Sequence, residues 1–495
     1  MKTKNAVLSL ILLLYLILSI SILTIGHYWG GDFSAYIMQA ISVLEGDTSQ
    51  FIEQNTFTIE STLPGLGPVL YPWGYPILIL PVIYLFGINL WALKAINIIF
   101  YLFFLVCVYR LFAGRLSVPK RLALLALFAF SPQILKSHSY VLSDIPFLFF
   151  STLSIFMIDL FIISEKKLFS HHIDYFLLGL TIFFAFWTRT NGAILLLVLM
   201  ISQIVHGFIT HKTDYLNKSR IFHSLLPYLA FFTMLGLTSL TLPSDNPTFF
   251  SFLDQINFLW ALNHLHRYTL MLPTFLHTLS YESTINQIIF VVLLPFLLMG
   301  ISARWRTDYH FILYSGFTLG LYSIWPYFYG LRYIFPILPF YIYFVFIGWE
   351  WLGFFLPRRF SLVYQKIGHS LLLFVVMIVF VSSLSLAVKN LRTNREIEGP
   401  FDPFSTEMFQ FVSNNTKDGS TIVFFKPRVL RLMTDRNSYR AHNCGNLLKG
   451  DYLIVHKYYD HYWKFFEELV KCSPTVEFRP IFNNKKFIIY SINKP

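Results

Sequence analysis

Four charged residues sit at the edges of long apolar runs, where charge is costly. Asp32 follows Gly30-Gly31, Asp144 lies in YVLSDIPF, Arg189 in FWTRTNG and Arg332 in FYGLRYIFPILP. Ionisable groups near membrane depth are functional candidates by default. A carboxylate suits a general base that takes a proton from an attacking hydroxyl. A guanidinium presents a planar fork that matches a phosphate or pyrophosphate. Lys94 and Lys136 lie at a similar depth and add cations. Tyr36, Tyr71 and Trp73 share the stretch that carries Asp32 and are candidate walls of a substrate cavity.

Each of these residues also has a plainer reading. Asp32, before FSAYIMQA, is a good helix N-cap, and Asp144, before Ile145-Pro146, could cap its own helix with proline near its start. Arg189, Arg332, Lys94 and Lys136 fit anchors that snorkel at span ends. Tyr71 and Trp73 fit an interfacial aromatic belt. Asp159, near the far end of its span, reads as a structural polar contact. His264, His266 and Arg267 do not have metal-ligand spacing and read as loop surface or acceptor contacts.

The elements that must position these residues are membrane spans. The chain has 495 residues, 55% of them hydrophobic and only 13% charged. One soluble core cannot hide so much apolar surface. At about 20 apolar residues per crossing, spans are expected at 6–25, 88–109, 121–135, 145–163, 173–189, 190–209, 222–242, 285–303, 309–327, 333–352 and 369–388, about eleven in all. The first is longer than a cleaved signal core and lacks a small-residue cleavage site, so it is read as retained.

Lysine and arginine orient the bundle. None occurs between Lys4 and Lys94, as expected of a translocated loop. With the N-terminus inside, the inner segments hold 16 Lys/Arg and the outer loops before residue 389 hold four. Asp32, Asp144, Arg189 and Arg332 then share the outer face of the cell membrane. The same asymmetry argues against reading the net charge of +12 as nucleic-acid binding.

The chain divides at about residue 388. Residues 1–388 form a polytopic α-helical membrane domain, including a long outer loop at 26–87. In that loop GDFSAYIMQAISVLEG reads as an amphipathic helix ended by Gly46. YPWGYPILILPVIYLFG, at 71–87, holds three prolines and two glycines and reads as an interfacial or re-entrant segment rather than a span. The tail, 389–495, loses the long apolar runs. A helix at 404–415 and strands at 421–425, 451–456, 475–480 and 486–492 predict a small α/β domain on the extracytoplasmic side. Cys444 and Cys472 lie there, a location compatible with a disulfide; Cys107 lies in a span. No internal repeat is evident.

In order along the chain, an N-terminal span, GGDFSAYIMQAISVLEGD, a proline-rich aromatic segment ending in LFG, SHSYVLSDIPFLFF, TRTNG and RYIFPILPF resemble the GT-C superfamily. The nearest pattern is that of the protein O-mannosyltransferase and aminoarabinose-transferase group, glycosyltransferase family 39-like. The resemblance covers residues 1–350, and the tail is similar to the small extracytoplasmic domain of bacterial relatives. It implies a GT-C-like fold and transfer of one sugar, with inversion, from a polyprenyl-phosphate donor to an acceptor that is a glycan, lipid or protein. It assigns Asp32 as the catalytic acid of the first outer loop and Asp144 as the acid close to it. Arg189, Arg332 and Lys94 would face the donor phosphate. No cofactor is implied, and ligand spacing does not support a divalent ion between Asp32 and Asp144. One departure is clear: where many relatives carry Lys or His before a Pro-Pro pair, this chain has LYPWGYP, with Tyr71 in the place of the cation. A transporter or flippase of a lipid-linked saccharide is the rival reading, although it accounts less well for the acidic loop, the outer tail and the lack of repeated halves. A non-catalytic assembly subunit is a second rival, and it would tolerate loss of Asp32.

Overall fold

The computed structural model describes residues 2–62, 67–210, 218–243, 257–458 and 476–493. Cys472 and the side chain of Cys444 fall outside them, so the disulfide expectation lies outside the described residues. Among the described residues, eight helical segments are long and apolar enough to cross a membrane by length and composition. The other three expected spans are the helices Val118–Ala129, His171–Thr188 and Tyr309–Ile324, of 12, 18 and 16 residues. Two of these are shorter than a full crossing needs. The third carries His171, His172 and Asp174 in its first turn. The expected span at 121–135 is broken at Ser131-Pro132, where the Ser131 hydroxyl caps a separate short helix, Pro132–Ser137.

Two segments form the centre of the bundle. Asp144–Ile163 and Leu331–Phe354 bury 72% and 78% of their apolar windows, whereas Thr284–Arg304 buries 11% and faces outward. The two central segments begin at Asp144 and next to Arg332, so two site residues stand where the most enclosed helices emerge. Gly300 and Gly348 press against the backbone of the partner helix at Phe344 and Phe296, a close helix–helix contact that only small residues allow. About 22 Å further along the central helix, at 1.5 Å per residue, Asp159 accepts from Arg115, which also donates to Asp308 at 2.9 Å. Tyr343 donates to the second Asp308 oxygen at 2.5 Å. Asp159 is thus a structural contact that ties the far ends of three segments together.

The first loop folds as three helices, Asp32–Glu45, Thr48–Glu60 and Gly74–Phe86. Gly46 ends the first with φ +76°, a left-handed cap that favours glycine. The third has 13 residues and contains Pro81, too short to span; Tyr84, Leu85 and Phe86 at its end are exposed, as in an interfacial helix. A Cβ at Gly74 would lie 2.5 Å from the Trp187 backbone. Glycine there lets the start of this helix press against the hairpin that carries Arg189.

The tail follows a 35-residue helix, Arg358–Arg392. Its sheet has the order β2-β1-β3-β5-β4, with β1 Thr421–Val423, β2 Asn437–Tyr439, β3 Tyr452–His456, β4 Glu477–Asn483 and β5 Phe487–Asn493. The first three are parallel and the last two antiparallel. Four of the strands match the expected segments; β2 and the helix Pro427–Thr434 are additions. The tail does not stand apart. Trp29, Phe33 and Tyr36 of the first loop share one core with Phe409, Phe424, Phe425 and Phe487 of the tail. Loop and tail therefore lie on the same side of the bundle.

Candidate active site

The Asp32–Glu45 helix begins at Asp32 itself, with Gly31 as its N-cap and no side-chain capping bond. The Asp32 carboxylate is therefore not spent as a cap. It accepts from the Tyr71 hydroxyl at 2.8 Å, and the Arg332 guanidinium lies 3.9 Å from its other oxygen. Asp144 likewise opens its helix without capping it. It pairs directly with Arg189 and lies 3.8 Å from Arg332. Arg332 thus stands between the two carboxylates. Arg189 and Arg332 both lie over the Tyr333 ring, at 4.5 and 5.4 Å. Four residues drawn from four distant segments are brought together. Asp32 is the more open acid, with 38% of its side chain accessible against 6% for Asp144.

The scaffold beneath them is specific. His27 links the two acid-bearing loops: its Nδ1 donates to the Tyr28 carbonyl at 2.9 Å and its Nε2 accepts from Val141 N–H at 3.0 Å. Burial lowers its pKa to about 3, so the ring is neutral. Gln39 grips the Tyr71 backbone from both sides, donating to its carbonyl at 2.8 Å and accepting from its N–H at 3.1 Å. Burial, and then the neighbouring Asp32 carboxylate, hold the Tyr71 phenol well above its usual range; it is a donor at any ordinary pH.

A cavity of about 220 Å³ opens beside Asp144 and Arg332, walled also by Gln133, Lys136, Tyr140 and Tyr329. The three aromatic residues expected to wall a substrate cavity do not line it. Tyr36 is buried with its hydroxyl 3.0 Å from Ser143. Tyr71 turns its hydroxyl to Asp32. Trp73 is buried against Phe51 and Leu70 and donates to the Pro243 carbonyl at 2.8 Å. Lys94 also requires correction as a phosphate ligand. It is fully buried, and its ammonium bonds the Thr24 carbonyl at 2.7 Å, the Thr24 hydroxyl at 3.1 Å and the Gly26 carbonyl at 2.6 Å. An ammonium has three donors, and all three are used where the chain leaves the first helix.

The tail supplies residues that the sequence did not single out. Arg428, almost wholly buried, donates to Tyr71 Oη at 3.2 Å, Asn55 Oδ1 at 3.2 Å and the Pro68 carbonyl at 2.6 Å. Lys426 is lowered by burial and by Arg440, against the pull of Asp32, so it too senses the acid. The sequence signal for this helix was Lys-Pro-Arg followed by apolar residues, with proline at the first helical position.

No protein-family model matches the chain, and no curated protein matches it by sequence. Solved structures do. ArnT from Cupriavidus metallidurans in the apo state aligns over 99% of this chain and 98% of that chain, at TM-score 0.58 and 11% identity. The same protein bound to undecaprenyl phosphate aligns at TM-score 0.56 and 11% identity, over 98% and 97%. The oligosaccharyltransferase AglB from Archaeoglobus fulgidus, in complex with an inhibitory peptide and a dolichol-phosphate, aligns at TM-score 0.54 and 9% identity, over 99% of this chain and 74% of that chain. The chain has the GT-C fold. At such identities the likeness is one of architecture, and it extends through the tail as well as the bundle. The GT-C fold agrees with the motif order read from the sequence.

Proposed function

We propose that the protein is a membrane glycosyltransferase that moves a sugar from a polyprenyl-phosphate donor to an acceptor hydroxyl at the extracytoplasmic face, with inversion. The observation that carries this reading is the cluster itself. An accessible carboxylate, Asp32, stands beside a cation, Arg332, that reaches both a second acid and an adjacent cavity, within a fold that two solved relatives use with lipid phosphates bound.

In this mechanism Asp32 takes the proton of the acceptor hydroxyl as its oxygen bonds to the anomeric carbon. The bond from that carbon to the phosphate oxygen breaks, and the polyprenyl phosphate leaves with the electron pair. Arg332 and Lys136, at the cavity, offset the charge on the departing phosphate. Arg189 and Asp144 set the position of Arg332. The step needs no redox cofactor. The Lys/Arg asymmetry supports a cytoplasmic N-terminus and an extracytoplasmic tail.

The test uses membranes bearing the full chain and a panel of radiolabelled undecaprenyl-phosphate hexoses and pentoses. Label should pass to an endogenous acceptor, and Asp32→Asn should reduce transfer by about a hundred- to ten-thousandfold with normal membrane insertion. Transfer by Asp32→Asn at the wild-type level would overturn the mechanism. Label that crosses vesicles without forming a new glycosidic bond would indicate a transporter.

A further inference from the structure

We infer that the C-terminal domain positions the catalytic acid, with Arg428 acting on Asp32 through the Tyr71 hydroxyl. This rests on the function proposed above. The path is short and continuous: Arg428 Nη1 donates to Tyr71 Oη at 3.2 Å, and Tyr71 Oη donates to Asp32 Oδ1 at 2.8 Å. A phenol oxygen that accepts from a cation becomes a stronger donor. The hydroxyl therefore holds the carboxylate in one orientation, leaving the second Asp32 oxygen toward Arg332.

Neither end of the path can drift. Arg428 is fixed by Asn55 and Pro68, and its guanidinium also lies 5.5 Å from the Tyr71 ring centre. Gln39 fixes the Tyr71 backbone, and the Tyr36 ring packs at 4.7 Å from that of Tyr71. The helix that carries Arg428, Pro427–Thr434, packs on the helix that begins at Asp32. Burial and the Asp32 charge keep the Tyr71 phenol protonated. Arg428 and Tyr71 are positioning residues here; Asp32 alone takes the proton.

The test is a double-mutant cycle on the full chain, with whichever labelled undecaprenyl-phosphate sugar the wild type uses best. Tyr71→Phe keeps the ring and leaves Arg428 on Asn55 and Pro68. Arg428→Gln removes the cation, and Arg428→Lys keeps it. A hydrogen bond to a charged group predicts that Tyr71→Phe and Arg428→Gln each lower kcat about ten- to a hundredfold. The donor KM and binding of undecaprenyl phosphate itself should stay within about threefold. The double variant should be no slower than the worse single one, because both break the same path, and Arg428→Lys should recover part of kcat. If Arg428→Gln does not fold, Tyr71→Phe and Arg428→Lys still decide. Wild-type kcat in Tyr71→Phe, or losses that multiply in the double variant, would overturn the inference. If those results occur while Asp32→Asn remains inactive, only this inference falls; an active Asp32→Asn removes the underlying function.

Discussion

Replacing Arg189 by alanine should expose the internal logic of the charge cluster. The change removes the direct partner of Asp144, a carboxylate with only 6% of its side chain accessible, and the cation over Tyr333 at 4.5 Å. Breaking a buried pair from one side costs about 3–5 kcal/mol, because a charge is left without compensation. Arg332 already stands 3.8 Å from Asp144 and can take over part of the attraction, so the expected loss is near the lower limit, about 3 kcal/mol. Adding Asp144→Asn to Arg189→Ala removes the stranded charge and should restore about 2 kcal/mol. Unfolding of the detergent-solubilised protein measures both values. The same samples should be assayed for transfer and for undecaprenyl-phosphate binding. If Arg189 serves only to hold Asp144 and Arg332, the double variant should regain donor binding along with stability. If Arg189 itself binds the phosphate, stability should return while donor binding stays weak. An Arg189→Ala protein within about 0.5 kcal/mol of wild type, or a double variant less stable than the single one, would refute the coupling.

Four further outcomes follow from the geometry. Lys94→Met should destabilise the protein by leaving the Thr24 and Gly26 carbonyls unsatisfied, by about 1–3 kcal/mol, with donor KM unchanged; a selective rise in KM would restore it as a phosphate ligand. His27 is neutral when folded and takes a proton when unfolded, so it contributes stability that is full above its ordinary pKa of 6.5 and fades as the pH falls toward about 3. Linkage gives a loss of about 2 kcal/mol by pH 5, and His27→Gln should flatten that part of the stability–pH curve. Trp73→Phe keeps an aromatic group but loses the bond to Pro243 and leaves part of the buried indole volume empty, so kcat should be unchanged and stability should fall by about 1–3 kcal/mol. Arg115→Met, at the far end of the bundle, should strand Asp159 and Asp308 and cost about 3–5 kcal/mol, measured as a lowered unfolding midpoint.

The acids and arginines at the span ends were legible because a charge beside an apolar run is conspicuous and has few roles. Asp32, Asp144, Arg189 and Arg332 meet as those positions suggest. Lys94 has the same conspicuous setting, but its ammonium is occupied by backbone carbonyls, and backbone acceptors leave no mark in the sequence. Arg428 fails for the opposite reason. It lies in an ordinary charged segment, and its partner Tyr71 is 357 residues away. His27 is a lone histidine until Val141 is brought to it. All eleven expected spans are helical, and among the described residues eight are long and apolar enough to cross a membrane; the other three are shortened or interrupted, as at Ser131-Pro132, by breaks that periodicity alone does not measure.

The core shared by the first loop and the tail also sets the order of assembly. Trp29 and Phe33 leave the ribosome long before the rings that cover them, Phe424, Phe425 and Phe487. Domains usually fold as units while the chain grows, but this compartment cannot close until both of its parts, separated by the whole bundle, have been made. Nascent and C-terminally clipped chains would display a bare aromatic face and an unbraced acid. The shared core therefore couples closure of the loop that carries Asp32 to synthesis of the tail.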